Sequence, residues 1–223
     1  RSLGLAPLTS FVCGAMLATA PEFWIVGRRC IMDTTLCLFI CLSMLAFHKF
    51  IKLADEGQRK PLWALLFLLG LSCAVLSKGL IGLAIPVSAL SAWLLVRKDC
   101  SIINWALLAG ASLLALIPVS LWLFALYGHL GMPGVKELVW TNNFGRFTGG
   151  HAEHVEPFYF YFTRFPLQFL PWTLAAVVMA FLLIKGGLAV KFNKSSLFLG
   201  CWILIPFTLL CIAAGKRPIY LLP

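Results

Sequence analysis

Six cations stand where uncharged runs end or polar stretches begin: Arg28, Arg29, Lys78, Arg146, Lys216 and Arg217. Arginine and lysine bind phosphate, arginine often through two parallel hydrogen bonds. Gathered beside apolar and aromatic walls, they would suit the head of a lipid phosphate. Each also has a plainer reading. Lys216 and Arg217 would be ordinary cations at a helix C-terminus. Lys78, in Leu76-Ser77-Lys78-Gly79, would be the polar residue of a tight turn. Asp33 lies four residues past Arg29 and opens a run without charge. An acid at the mouth of a membrane span is a functional candidate; the alternatives are a local pair with Arg29 or an acid favoured by the helix dipole. His151, Glu153, His154 and Glu156 include types that ligate metals, but their HxxH spacing lacks the specificity of HExxH on a helix.

The elements that must carry these residues follow from composition. The chain has 223 residues, 61% hydrophobic and 12% charged, with mean hydropathy +0.94. A soluble domain is about 45–50% apolar and about 25% charged, and disorder needs low hydrophobicity. Both classes are excluded. The net charge of +10 is read as cations bordering a membrane rather than as a nucleic-acid footprint. Crossing a bilayer takes about 20 mostly apolar residues. The uncharged runs are 2–21, 34–48, 61–77, 79–96, 100–135, 165–184 and 195–215. Lys49 and Lys52 can snorkel and lengthen the second, and Gly128, Gly131, Pro133 and Gly134 are expected to break the fifth. Pro86, Pro118, Pro171 and Pro206 are expected as kinks inside spans. The expected fold is therefore all-α: a polytopic transmembrane bundle of about seven spans in a single domain, 1–223. The chain reads as the middle of a longer protein.

Alternating crossings put ten of the 18 lysines and arginines on one side, in short connections, and eight on the other. By the positive-inside rule the first side is cytoplasmic, and its turns read as short and solvated. The other side holds the long loop, about 128–165, with Trp140, Phe144, Phe147 and the run Phe158 to Phe162. Aromatic density of this kind predicts a partly helical segment lying in the interface. That side also carries Lys78 and Arg146, both expected at a water-facing rim, where substitution should spare folding.

These residues, taken in order, resemble a family. Gly27-Arg28-Arg29-Cys30-Ile31-Met32-Asp33, Ser77-Lys78-Gly79, Trp140-Thr141-Asn142-Asn143-Phe144-Gly145-Arg146-Phe147, His154-Val155-Glu156-Pro157-Phe158-Tyr159-Phe160-Tyr161 and Lys216-Arg217-Pro218-Ile219-Tyr220-Leu221-Leu222-Pro223 are similar to stretches of the bacterial membrane glycosyltransferases related to protein O-mannosyltransferases, among them the lipid A aminoarabinose transferases. The resemblance covers nearly the whole chain, and its collinear order is what carries it. It implies a GT-C fold and a bacterial inner-membrane location. It also implies transfer on the periplasmic face from a polyprenyl-phosphate-linked sugar donor to a lipid, glycan or protein acceptor of the envelope. By the same resemblance Lys78, Arg146 and Tyr220 surround the donor phosphate; Arg28, Lys216 and Arg217 are expected beside them from the charge pattern, as cations on the same membrane face. Asn143, His154 and Glu156 line the substrate cavity, and Asp33 is an accessory acid. There are two departures. The family's main catalytic carboxylate lies in a first periplasmic loop, expected upstream of this chain, with a C-terminal part also expected outside it. Asn143 stands where the aminoarabinose transferases have a metal-binding histidine, so no metal or other cofactor is expected.

The implied chemistry is inverting sugar transfer, in which cations stabilise the negative charge that grows on the leaving phosphate. A transporter or lipid flippase is the alternative; it calls for internal repeats and polar residues near mid-bilayer, and neither is found. The topology is checked by a single cysteine in place of Gly149 in the full-length protein. It should react with a membrane-impermeant thiol reagent added from the periplasmic side, and labelling from the cytoplasmic side alone would overturn the orientation.

Overall fold

The computed structural model describes residues 6–29, 31–145, 156–186 and 194–221, with the backbone alone at 142–144. The described elements are helical. Proline sets φ for a helix start and has no amide hydrogen to orphan there; it begins α1 (Pro7–Thr19), α2 (Pro21–Gly27) and α4 (Pro61–Lys78). Between them comes α3 (Met32–Asp55), and after them α5 (Ile81–Val96) and α6 (Ile102–Lys136), which continues into a π-wound segment, Glu137–Gly145. Then follow α7 (Phe160–Gln168), α8 (Trp172–Ile184), α9 (Lys194–Ile212) and a 3-10 turn, Pro218–Leu221.

Four stretches are long and apolar enough to cross a membrane unaided: Met32–Asp55, Pro61–Lys78, Ile102–Thr141 and Lys194–Ile212. Two more qualify as bent pairs, α1 with α2 at 66° and α7 with α8 at 106°, and α5 is a shorter apolar helix of 16 residues. These are the seven apolar segments expected from the uncharged runs, and the chain is a multi-pass membrane protein. Two details differ. Gly128 does not break α6; the one non-helical residue inside it is Gly131, at φ 64° and ψ −170°. In an apolar medium an unpaired backbone amide costs several kcal/mol, so a glycine that can remain helical does. Pro171 lies at the α7–α8 bend rather than inside a span.

The core is built by α3, α4, α5, α6 and α9 around Phe47, Phe67, Trp93 and Phe198, all buried. Phe47 meets Phe67 at 4.8 Å between ring centroids, and Phe198 meets Trp93 at 5.1 Å, edge to face. His48 tilts against Phe198 at 4.4 Å. Lipid tails are as apolar as these side chains, so association rests on close packing rather than on escape from water. The α4–α5 connection shows how close. Gly79 has φ 72°, a region open to glycine at little cost, and its amide donates to the Val75 carbonyl at 2.7 Å. A Cβ on Gly82 would lie 2.3 Å from the Ala74 carbonyl oxygen. Together they turn the chain sharply just after Lys78.

Charges gather at the two ends of the bundle. At one end Arg97 donates from Nη2 to Asp55 at 2.9 Å and from Nε to Asp99 at 3.0 Å, and Lys194 lies 3.7 Å from Asp55. Asp99 also accepts from the Ser101 amide at 2.9 Å and from the Asn104 side chain at 3.0 Å. Its side chain is 4% exposed. The turn at 56–60 is exposed, as expected; the connection into α6 differs, because the Asp99 carboxylate satisfies the opening turn of α6 and is buried in doing so.

Two substitutions test the tight turn. Gly82→Ala should lower stability by roughly 1–3 kcal/mol through overpacking against Ala74, and Gly79→Ala by about 1–2 kcal/mol through its left-handed φ. Gly110→Ala, in α6 with open space around it, should be neutral or slightly stabilising. Thermal unfolding of the purified protein in detergent reads all three, and equal midpoints would refute the packing argument.

Candidate functional site

The opposite end of the bundle holds the residues singled out in the sequence. α3 and α4 run antiparallel, joined by the short turn at 56–60, so the N-terminus of α3 lies beside the C-terminus of α4. A helix N-terminus favours an anion and a C-terminus a cation. Asp33 occupies the first turn of α3 and Lys78 the last position of α4. Their side chains meet in a direct ion pair across the two helices. Asp33 is 5% exposed and Lys78 27%. Asp33 therefore pairs with Lys78 and not locally with Arg29, and Lys78 is more than turn punctuation.

Tyr220 completes this group. Its ring lies 4.4 Å from the Lys78 ammonium, a cation–π contact worth about 0.5–2 kcal/mol. The 3-10 turn that carries it is held on two sides. The Tyr220 amide donates to the Arg217 carbonyl at 3.1 Å, and the Tyr161 hydroxyl of α7 donates to the same carbonyl at 3.2 Å. Phe160, Tyr161, Leu210 and Cys211 pack beneath, with Phe207, Tyr220 and Leu221 against them. The α7 aromatics thus seat the turn rather than float as a loose belt.

Beside that turn the ammonium of Lys216 is buried, 3% exposed, and donates to the carbonyls of Glu156 at 2.7 Å and Ala213 at 2.6 Å. Glu156, expected in the substrate cavity, holds Lys216 through its backbone oxygen. Glu156, Phe160, Arg164, Lys216, Arg217, Pro218 and Ile219 line an open cavity of about 410 Å³. Of the residues expected at the site, Asp33, Lys78 and Tyr220 form one cluster and Glu156, Lys216 and Arg217 another. Arg28 is engaged elsewhere, its guanidinium 4.4 Å over Trp24 of α2. Arg146, His151, Glu153 and His154 lie outside the described residues, as does the Asn143 side chain.

Arg164 was not singled out from sequence, although the signal was present: it stands four residues past Phe160, hence on the same face of α7, in a run otherwise aromatic and uncharged. Its guanidinium is 5.7 Å from the Phe160 ring.

Known proteins similar to this chain show its family and its fold. Residues 1–132 match the family described as dolichyl-phosphate-mannose-protein mannosyltransferase. The chain belongs to this family. It is 30% identical over 212 residues to the undecaprenyl phosphate-alpha-4-amino-4-deoxy-L-arabinose arabinosyl transferase 2 of Proteus mirabilis (strain HI4320), covering 89% of this chain and 35% of that one. The Pseudomonas fluorescens (strain Pf0-1) enzyme of the same name is 30% identical over 233 residues, covering 100% of this chain and 39% of that one. The crystal structure of ArnT from Cupriavidus metallidurans bound to undecaprenyl phosphate superposes with a TM-score of 0.69 at 20% identity, over 93% of this chain and 37% of that one. That likeness shows the fold, the GT-C-like bundle expected from sequence. The chain spans a little over a third of the length of the curated relatives it matches. Nothing in these comparisons supports a transporter.

The Asp33–Lys78 pair alters one expectation. Substituting Lys78 alone strands a buried carboxylate, and breaking a buried pair one-sidedly costs about 3–5 kcal/mol, reduced here because Lys78 is partly exposed. Lys78→Met should therefore destabilise more than the double variant Asp33→Asn/Lys78→Met, which leaves no unpaired charge. A double-mutant cycle in thermal unfolding measures this. Additive effects would show that the pair contributes nothing.

Proposed function

We propose that this chain supplies the phosphate-holding end of a membrane glycosyltransferase. The enzyme moves a sugar from a polyprenyl-phosphate donor to a lipid, glycan or protein acceptor on the periplasmic face of the bacterial inner membrane. The observation that carries the reading is convergence: Asp33, Lys78 and the 216–220 segment come from three distant parts of a family member and meet at one end of its bundle. The names of the relatives add undecaprenyl phosphate as the donor lipid.

The chemistry asks for fixed positive charge. When the bond from sugar to phosphate breaks, charge accumulates on the phosphate oxygens, and cations already in place stabilise it without reorganisation. Lys78 meets that need. Its ammonium has three donor hydrogens; Asp33 takes one, the Tyr220 ring lies alongside, and the remaining donors serve the phosphate. Arg146 joins it on the strength of the resemblance. Asp33 is an orienting group in this scheme. Buried and already paired, it is poorly placed to take a proton from an acceptor, and the general base belongs to the first periplasmic loop of the family. With Asn143 in place of the relatives' histidine, transfer proceeds without a bound metal.

The test is turnover of an undecaprenyl-phosphate-linked sugar by the full-length protein. Arg146→Ala, and Lys78→Ala combined with Asp33→Asn, should each lower kcat by about 10²–10³, comparable to losing one oxyanion-type donor. Arg146→Lys should recover part of the loss, since lysine keeps the charge and gives up the two-pronged hydrogen bonding. Lys98→Ala, at the Arg97 end, should leave kcat at the wild-type value. Wild-type turnover in the first two variants, or loss in step with lost folded protein, would remove the phosphate role.

A further inference from the structure

The turn that carries Tyr220 is short, Pro218–Leu221, and none of its residues is buried. It opens on a proline, which has no amide hydrogen to give. What fixes it comes from the segment that leads into α7. The Glu156 amide donates to the Ala214 carbonyl at 3.4 Å, and the Lys216 ammonium donates back to the Glu156 carbonyl at 2.7 Å. Further along, the Tyr161 hydroxyl donates to the Arg217 carbonyl at 3.2 Å. These bonds lace residues 156–161 to residues 214–217, and the last reaches the residue just before the turn.

That last bond is not needed to satisfy the backbone. The Arg217 carbonyl already accepts from the Tyr220 amide at 3.1 Å. Tyr161 is 0% exposed, and its ring packs edge to face on Phe160 at 5.2 Å. Phenylalanine would fill the same place and bring no hydroxyl in need of a partner. Tyrosine here does one thing that phenylalanine would not: it fixes the Arg217 carbonyl relative to α7. The same carbonyl closes the turn onto Tyr220, whose ring lies 4.4 Å from the Lys78 ammonium.

We propose that Tyr161 is a positioning residue for the transfer reaction. It touches no substrate; it acts through the Arg217 carbonyl and Tyr220 on the direction of the Lys78 ammonium. The proposal rests on the reading of Lys78 as the donor-phosphate group. A lysine ammonium sits on a flexible stem with three rotatable donors. Asp33 gives it one contact from α3, and the Tyr220 ring gives it a second from the 3-10 turn. Two contacts from different elements set its direction, where one would leave it free to swing. Loss of the Tyr161 hydroxyl loosens the second contact. The leaving phosphate gains its charge in the transition state, so a displaced cation lowers kcat more than it alters KM.

The test is kcat and KM for an undecaprenyl-phosphate-linked sugar in the full-length protein, with the thermal midpoint measured alongside. Tyr161→Phe should lower kcat about threefold to tenfold, the range of one neutral hydrogen bond. KM and the midpoint should stay near the wild-type values. Leu210→Val, in the same buried cluster, should do the reverse, lowering the midpoint and sparing kcat. Tyr220→Leu removes the cation–π contact and should lower kcat by itself. Adding Tyr161→Phe to it should lower kcat no further, because both changes act along one path. With Tyr220→Leu impaired, three outcomes would overturn the positioning role and leave the donor reading intact. They are a wild-type kcat in Tyr161→Phe, the same factor from Tyr161→Phe in both backgrounds, or a loss that follows the midpoint. A wild-type kcat in Tyr220→Leu would also overturn it, and turnover by Asp33→Asn/Lys78→Ala then decides the donor reading separately.

Discussion

An antiparallel helix hairpin sets a positive dipole end beside a negative one, and the pairing of Asp33 with Lys78 is what that adjacency calls for. Everything else at the site end is built on it. Lys78 is fixed because Gly79 turns the chain immediately after it and Gly82 lets α5 return against α4. Tyr220 is fixed because it lies against the same ammonium. The carboxylate is almost wholly buried, and burying a charge is tolerable only with a partner in good geometry. The pair is thus a registration device. It ties the first turn of α3, the last turn of α4 and the segment after α9 to one point, although they lie far apart in sequence.

The Arg97 end obeys the same constraint with a different result. There Arg97 bridges two carboxylates, Asp55 and Asp99, and Asp99 in turn satisfies the start of α6. Arg97 and Lys194 are matched to carboxylates there, and the network clamps α3, α5, α6 and α9. At the site end Asp33 and Lys78 are matched in the same way, and the buried Lys216 ammonium is held by the dipoles of the Glu156 and Ala213 carbonyls. The two ends thus satisfy buried charge by different means, ion pairs at one and backbone dipoles beside an ion pair at the other.

Most of the architecture was legible in the sequence because hydrocarbon forbids charge. Uncharged runs marked the apolar segments, and the cations between them alternated between the two ends. The glycines were harder to read. Gly128 and Gly131 look alike as letters, yet only Gly131 leaves the helix, because a backbone amide in an apolar setting keeps its hydrogen bond where it can. Spacing also fell short for contacts across helices. Asp33 is four residues from Arg29 and 45 from Lys78, and it pairs with the second. Helix periodicity reports neighbours on one helix; it is blind to which residue the next helix brings alongside. Glu156 shows a further limit. It was chosen for its carboxylate and holds Lys216 by its carbonyl, an atom every residue has.

Arg164 combines both kinds of signal. Its type and its i+4 relation to Phe160 were visible, but its importance comes from α7 packing against the 3-10 turn, through Tyr161 and the Arg217 carbonyl. The aromatic run Phe158 to Phe162 invited reading as an interfacial belt. In the fold its two buried members, Phe160 and Tyr161, form the floor under Tyr220, and Phe160 also lines the cavity. The same rings therefore seat the turn that brings Tyr220 to Lys78 and, through Phe160, line the cavity beside that turn. A phosphate entering this end would meet cations already held in place by the fold, the condition under which a leaving phosphate is best stabilised.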